Sequence, residues 1–160
     1  MPCLWQMMLS THDRLVRGLE ALRPLAALIA RLYVAQVFWQ SGLTKLRDWD
    51  TTLALFVDEY HVPLLPSHWA AVLGTGGELV LPVLLVLGLG GRIPALGLSV
   101  VNAVAVLSLS EIAPAAWQGH LLWGSLLAAL AMWSVGPWSA DAWLAPRLRA
   151  RLSARPVGRA

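Results

Sequence analysis

The chain has 160 residues, a formal net charge of +3, and a composition that is 58% hydrophobic and only 13% charged. A soluble domain typically carries about 25% charged residues, so the composition favours a membrane protein of one domain over a soluble globular protein. Cys3 is the only cysteine, which excludes an intramolecular disulfide, a paired-cysteine redox centre and a cysteine-ligated zinc or iron–sulfur site.

Four apolar runs are long enough to cross about 30 Å of hydrocarbon as helices of roughly 17–25 residues. The predicted spans cover residues 24–43, 69–89, 93–109 and 117–135. Residues 1–23 and 140–160 are expected to be cytoplasmic flanks, the first an amphipathic helix on the inner membrane face and the second a basic helix. The sequence therefore predicts an all-α fold over residues 1–160, an integral membrane four-helix bundle with short amphipathic interfacial helices.

The segment between the first two spans predicts a further short helix. Residues 51–60 have amphipathic spacing, and Pro63 is expected to stop the helix. Trp49, Leu53, Phe56 and Tyr60 form one apolar stripe in this segment. This stripe is expected to rest on the bilayer or to cover the mouth of the bundle.

The distribution of basic residues predicts the orientation. Only Lys45 and Arg47 lie in the loops on one side of the predicted bilayer. Nine arginines lie on the other side, which the positive-inside bias assigns to the cytoplasm. Both termini are therefore expected to be cytoplasmic. The nine are Arg14, Arg17, Arg23, Arg92, Arg147, Arg149, Arg151, Arg155 and Arg159.

Two charged residues lie inside the predicted spans. Arg31 and Glu78 are each close to the midpoint of a span, where an isolated charge costs roughly 2.5–3.5 kcal/mol on insertion scales. We therefore expect them to pair, with Asn102 and Ser99 at a similar depth and Gln36 to one side. Two interpretations stay open for this cluster: it contacts a ligand or relays protons, or it fixes the register of the helices.

The histidines and the basic segment predict no further site. His61, His68, His120 and Glu111 lie toward the outer side with Asp58 and Glu59, but their spacing matches no metal motif, so no metal site is predicted. No two histidines lie at the matched depth that haem ligation between helices requires. The basic residues after the fourth span are expected to contact membrane lipids, and no nucleic-acid partner is predicted.

Three segments together resemble the DoxX family of small four-helix membrane proteins. They read FWQSGLTKLRDWDTTLALFVDEYHVPLLP, GTGGELVLPVLLVLGLGGRIPAL and GPWSADAW, and the resemblance runs from Arg31 to Trp143. The matching positions, which are specific through their order and spacing, are Ser41, Gly42, Lys45, Leu46, Pro63, Glu78, Pro82, Gly88, Arg92, Ser139 and Asp141.

The resemblance implies an activity and a location. The family name comes from proteins linked to quinone-dependent sulfur oxidation, in which a DoxX-like polypeptide is a membrane subunit. We therefore expect a membrane subunit or anchor of a quinone-linked oxidoreductase system in the bacterial cytoplasmic (inner) membrane, with redox-enzyme partner subunits. Quinone is the one cofactor implied, and the chain is at most a quinone-binding or non-catalytic subunit. A small transporter for an ion, a metal or a small acid, and a structural or assembly factor, are the alternatives.

Overall fold

The computed structural model describes residues 2–133 and 138–153. These residues form six α-helices, and no strand occurs among them. The helices are α1 (Pro2–Arg47), α2 (Trp49–Asp58), α3 (Ser67–Leu87), α4 (Ile93–Ser108), α5 (Pro114–Met132) and α6 (Ala140–Ser153). The predicted all-α class is confirmed. Three pieces of the predicted segments lie outside the described part. They are residue 1, the last residues of the fourth predicted span (134 and 135) and residues 154–160 of the second flank.

Helix α1 is longer than the sequence predicts. It runs unbroken over 46 residues and contains Pro24, which we expected to start a separate helix. The residues before Pro24 are rich in Leu, Met and Arg, which are strong helix formers. The helix therefore continues through the proline, and the predicted boundary at residue 24 is wrong.

Four helices form a closed ring. Helix α1 packs against α3, α3 against α4, α4 against α5, and α5 against α1. Val34, Leu98 and Leu127 are the fully buried apolar centre of this bundle. We call the end that carries α2 the α2 end, and the end that carries the α3–α4 turn and α6 the α6 end.

The outer surface of the bundle is apolar. In the described part of the chain, two helical stretches are long and apolar enough to cross a membrane, Met8–Arg47 and Ser67–Leu87, and α4 is a shorter apolar helix. Large hydrophobic side chains are exposed along all four bundle helices, among them Ile29, Leu32, Val80, Leu87, Leu96, Leu121 and Leu122. Such a surface is expected of helices that face lipid.

The register between α1 and α3 is set by a close approach at Gly42. A Cβ added at Gly42 would lie 2.9 Å from Leu79 Cγ and 3.2 Å from Glu78 Cβ, so only glycine fits against α3 here. Arg31 lies eleven residues before Gly42, which is about 16 Å along a helix axis. Arg31 and Glu78 are consequently at different depths in the bundle.

Both flanking helices begin with a hydrogen-bonded cap, and α6 is also joined to the bundle by a hydrogen bond. At the α2 end, Asp48 caps α2 by accepting from the Thr51 amide at 3.0 Å. At the α6 end, Ser139 Oγ accepts from the Ala142 amide at 3.2 Å, as a helix cap does. The carboxylate of Asp141 accepts from the Gly91 amide at 2.6 Å, which joins α6 to the turn between α3 and α4.

A cavity at the α2 end as the candidate functional site

A cavity of about 400 Å³ lies inside the bundle at the α2 end. All four bundle helices contribute to its wall, and α2 with the following loop covers it. Most of the lining is apolar, including Val37, Phe38, Phe56, Leu73, Val100, Val101 and Val104. The polar side chains that reach the wall are Ser41, Lys45, Tyr60, Glu78, Ser108, His120 and Trp123. An apolar cleft with a few polar groups is the usual form of a site for a small organic ligand.

The charged part of this wall is an ion pair between α1 and α3. Lys45 Nζ lies 2.6 Å from Glu78 Oε2 and 2.8 Å from Oε1, and it also donates to Ser41 Oγ at 2.8 Å. Ser41 and Lys45 are one turn apart on α1, so both face Glu78 across the helix interface. Three of the positions that carry the family resemblance thus meet in one hydrogen-bonded group.

This pairing corrects the partner predicted for Glu78. We expected Arg31, because both residues lie near the middle of their apolar runs. The Gly42 contact instead aligns Glu78 with the last turns of α1, where Lys45 is in reach. The midpoint of an apolar run was therefore a poor guide to depth.

Arg31 lies at the α6 end, where it contacts the backbone just before α6. It is buried, and its guanidinium Nη1 donates to the Trp138 carbonyl oxygen at 3.4 Å. Trp138 directly precedes Ser139 and the start of α6. Arg31 therefore helps to hold the beginning of α6 against the bundle, at the end remote from the cavity.

Asn102 meets His120 across the interface of α4 and α5. The Asn102 side-chain nitrogen Nδ2 donates to the His120 carbonyl oxygen at 3.0 Å, and Asn102 Oδ1 lies 2.8 Å from His120 Nδ1. His120 lines the cavity, whereas Asn102 is buried behind it. The predicted cluster is consequently divided, with Glu78 on one wall of the cavity and Asn102 supporting another.

Trp123 lies one turn after His120 on the same face of α5. Its ring contacts His120 with centroids 5.0 Å apart and Phe38 with centroids 6.2 Å apart, both in edge-to-face geometry. The indole nitrogen Nε1 is buried, yet it has no hydrogen-bond partner among the described residues. This atom is closed to a water-sized molecule, so Trp123 contributes the surface of its ring, and not this donor, to the cavity wall.

Tyr60 belongs to the segment that covers the cavity. Its ring lies against the Phe56 ring in a tilted arrangement with centroids 5.0 Å apart, and Phe56 packs on Ala70 and Ala71 of α3. Burial first, and then the charges of Glu59 and Glu78, raise the pKa of the Tyr60 phenol, which keeps it protonated as a donor. The apolar stripe predicted in this segment thus covers the mouth of the bundle.

The remaining predicted residues lie away from the cavity. Gln36 is exposed, and Ser99 Oγ donates to the Ala95 carbonyl oxygen of its own helix at 2.8 Å. Among the resemblance positions, Pro82 is buried within α3, Pro63 is exposed in the loop, and Arg92 is exposed at the start of α4. Of the histidines considered for a metal, His61 and His68 are exposed, and no group of three His, Cys, Asp or Glu side chains converges in the part of the chain that the structure describes.

Sequence reasoning missed three side chains of the cavity wall. Trp123 was one of several tryptophans in apolar runs, Tyr60 was part of an apolar stripe, and His120 was assigned to the end of a span. One signal was available: His120 and Trp123 have helical i, i+3 spacing, which places both on one face of the fourth apolar run.

Comparison with protein families matches residues 26–111 to DoxX, which is more than half of the chain. The chain belongs to the DoxX family. The match begins within α1, ends just after α4, and contains the Lys45–Glu78 pair and Asn102. His120 and Trp123 follow it in sequence. Comparisons with curated proteins and with solved structures give no match. The chain is thus a DoxX-like membrane protein with an all-α bundle.

Proposed function

We propose that this DoxX protein is a membrane subunit of a quinone-linked oxidoreductase system, and that the cavity at the α2 end holds the quinone. The observation that carries the proposal is the apolar cavity of about 400 Å³ within the bundle. Its volume is in the range of roughly 300–1,000 Å³ that small-molecule sites occupy. The family resemblance supports the choice of quinone over other apolar ligands.

The polar groups of the wall suit a quinone ring. Each quinone carbonyl oxygen accepts a hydrogen bond, and the wall offers the Tyr60 hydroxyl as a donor. The apolar side chains Phe38, Val101 and Val104 supply the surface against which a ring packs. The protein's contribution would be to bind and orient the ring, and a partner enzyme would exchange electrons with it.

The location that we propose is the bacterial cytoplasmic membrane, with both termini in the cytoplasm. The nine-to-two distribution of basic residues supports this orientation. The loops at the α2 end, which carry Lys45 and Arg47, would then lie outside. A quinone in the cavity would be reached from the outer leaflet, and a redox partner would dock at the same side of the membrane.

A pair of glycine variants tests quinone binding. Gly74 lines the cavity, and an added Cβ would lie 3.7 Å from the Phe56 ring, so Gly74→Leu fills the space with a side chain. An added Cβ at Gly76, on the same helix, meets nothing within 4 Å, so Gly76→Leu is the matched control. Binding of a short-chain benzoquinone to the purified protein in nanodiscs would be measured by equilibrium dialysis.

The expected result is that the unmodified protein binds the quinone, that Gly74→Leu weakens binding by about tenfold or more, and that Gly76→Leu binds as the unmodified protein does. One tenfold step corresponds to about 1.4 kcal/mol. Absence of binding to the unmodified protein would overturn the proposal. Equal weakening by both variants would remove the cavity as the binding site.

A further inference from the structure

The cavity has one side whose side chains are exposed. Leu65, Leu73 and Val100 line the cavity, yet they are 42%, 57% and 62% exposed. Every other residue that lines the cavity, including those of α1 and α5, is buried or half-buried. Leu73 belongs to α3, Val100 belongs to α4, and Leu65 lies in the loop just before α3. A side chain that touches a cavity and is also exposed lies at its rim, so the cavity opens between α3 and α4.

The seam between α3 and α4 is closed toward the α6 end and ends toward the α2 end. A Cβ added at Gly97 would lie 2.8 Å from Leu81 Cδ1, and one added at Gly77 would lie 3.2 Å from Val101 Cγ2. The two helices are therefore in close contact as far as Gly77. Leu73 is one turn farther toward the α2 end, on the same face of α3. Its side chain is exposed, so the close contact of the two helices has ended at this level.

The cover at the α2 end is fastened to the bundle. The His61 amide donates to the Ser108 carbonyl oxygen at 2.9 Å, which ties the loop after α2 to the last residue of α4. The Thr52 hydroxyl donates to the Lys45 carbonyl oxygen at 2.9 Å, which ties α2 to α1. Phe56 is buried against α3. Since the cover is held to three helices of the bundle, the exposed side of the cavity is the opening between α3 and α4. We call this opening the window, and its rim is Leu65, Leu73 and Val100.

The window lies at the depth of the membrane hydrocarbon. Trp69 is exposed near the start of α3, and tryptophan is the residue type that marks the membrane edge. Leu73 follows it by four residues, which is about 6 Å deeper along the helix axis. Val100 is deeper still, since its neighbour Val101 meets Gly77. The rim side chains are all hydrocarbon, as side chains that face lipid tails must be.

We propose that the ligand enters the cavity sideways from the membrane, through the window, and is a lipid-borne quinone whose long apolar tail stays in the window. A long tail does not fit beside the quinone ring in a cavity of about 400 Å³, so it needs an exit. Ser41 and Lys45 belong to α1, which lies across the bundle from the window. The polar end of the ligand therefore points inward and its tail outward. The inference rests on the proposed function and deepens it, because it names a tailed quinone as the ligand and the rim as the part that selects it.

Two quinones and four variants test the window. The quinones are tetramethylbenzoquinone, which has no tail, and its analogue in which a decyl chain replaces one methyl group. Leu73→Trp and Val100→Trp each put a large side chain into the window. Leu87→Trp and Leu96→Trp are their controls, at exposed leucines of the same two helices that lie away from the cavity. Binding would be measured by ligand-detected NMR on the purified protein in nanodiscs of equal lipid content, so that partition of the tail into lipid is the same for every variant.

We expect the two rim variants to weaken binding of the decyl quinone by about tenfold, which is the lost packing of roughly two methylene groups. Binding of the quinone without a tail should change by less than about threefold, because this molecule fits wholly inside the cavity. The two control variants should change neither affinity. Equal effects of the rim variants on both quinones, or no effect on either, would overturn the inference and leave the proposed function standing. If neither quinone binds to the unmodified protein, both the inference and the proposed function fail.

Photo-crosslinking locates the tail independently of any variant. A decyl quinone with a diazirine close to the ring would be irradiated with the unmodified protein in nanodiscs, and the labelled residues would be identified by mass spectrometry. We expect labels on the rim, at Leu65, Leu73 or Val100. Labels confined to α1 and α5 would place the tail on the opposite side of the bundle and overturn the inference.

Discussion

Lys45 on α1 and Glu78 on α3 form a partly buried ion pair in the wall of the cavity, with the ammonium nitrogen 2.6 Å from Oε2. The side chains are only 21% and 9% exposed, so each charge depends on the other for compensation. Ser41 accepts the remaining hydrogen bond of the ammonium group. The pair links α1 to α3 in the wall of the cavity that we propose as the ligand site.

The first prediction concerns this pair. Lys45→Leu and Glu78→Leu should each lower the thermal stability of the protein in detergent, because each leaves a buried charge without its partner, which typically costs about 3–5 kcal/mol in soluble proteins. The double Leu variant should recover much of the loss, since an apolar pair replaces a buried ion pair at small net cost. The thermal midpoints of the unmodified protein, the two single variants and the double variant show how strongly positions 45 and 78 are coupled.

A second cycle serves as the control for the first. Arg31 lies at the other end of the bundle, so Arg31→Leu and Glu78→Leu should have additive effects, as expected for distant sites. Strong coupling in this cycle, together with additivity between positions 45 and 78, would restore the pairing that the sequence alone suggested.

The third prediction concerns Arg31 itself. Arg31→Leu removes the donor to the Trp138 carbonyl oxygen and should loosen the start of α6. Hydrogen exchange should accelerate at the amides of Asp141 and Ala142, while the Thr51 amide at the opposite end keeps its protection. Faster exchange at both ends would instead indicate that Arg31 stabilises the whole bundle.

The fourth prediction concerns pH and the cap of α2. Hydrogen bonds from the Thr51 hydroxyl and then from its amide hold the pKa of the Asp48 carboxyl below its ordinary value. A carboxyl whose pKa is lower in the folded state than in the unfolded state makes its full contribution to stability at pH values above the unfolded-state pKa. This contribution is lost as the pH falls through the folded-state pKa.

The Asp48→Ala variant should therefore be less stable than the unmodified protein at neutral pH, and the difference should shrink as the pH falls below about 4. Asp48→Asn is the matched control, because asparagine caps a helix without ionising, so its stability should not follow this titration. Thermal midpoints measured from pH 7 to pH 3 test both statements. A difference between Asp48→Ala and the unmodified protein that is constant across this range would contradict them.

The fifth prediction concerns orientation. A reporter that is active only outside the membrane should work when fused near Asp58 or Ile112 and should fail at Leu152, because nine of the basic residues outside the spans lie on the side of the termini. Activity at both Asp58 and Leu152 would contradict the even number of spans. Activity at Leu152 without activity near Asp58 would invert the orientation and move the cavity to the other leaflet.

The helices could be predicted from the sequence, and the cavity could not. Long apolar runs indicate where α3, α4 and α5 lie to within three residues, because length and hydropathy are local properties. The start of α1 was missed because Pro24 was taken as a boundary. The pairing of Glu78 was missed because depth was counted from the middle of each run, whereas a single close contact at Gly42 sets the register.

The cavity wall depends on contacts between segments that are far apart in the chain. Asn102 was recognised as a polar residue in a span, but its partner His120 follows eighteen residues later on another helix. Trp123 follows His120 by one helical turn, which places both on one face of the fourth apolar run, but the sequence does not show what this face packs against. What identifies Trp123 is its place in the cavity wall, and such a property exists only after the helices have assembled.

Photo-crosslinking would show whether a quinone-type ligand binds in the cavity at the α2 end. A short-chain quinone with a diazirine on its tail would be irradiated with the protein in native membranes, and labelled peptides would be identified by mass spectrometry. We predict labels on residues that line the cavity, in 56–65 and 100–109, that disappear in Gly74→Leu and persist in Gly76→Leu. Labels confined to the lipid-facing surface, or unchanged in Gly74→Leu, would contradict the account.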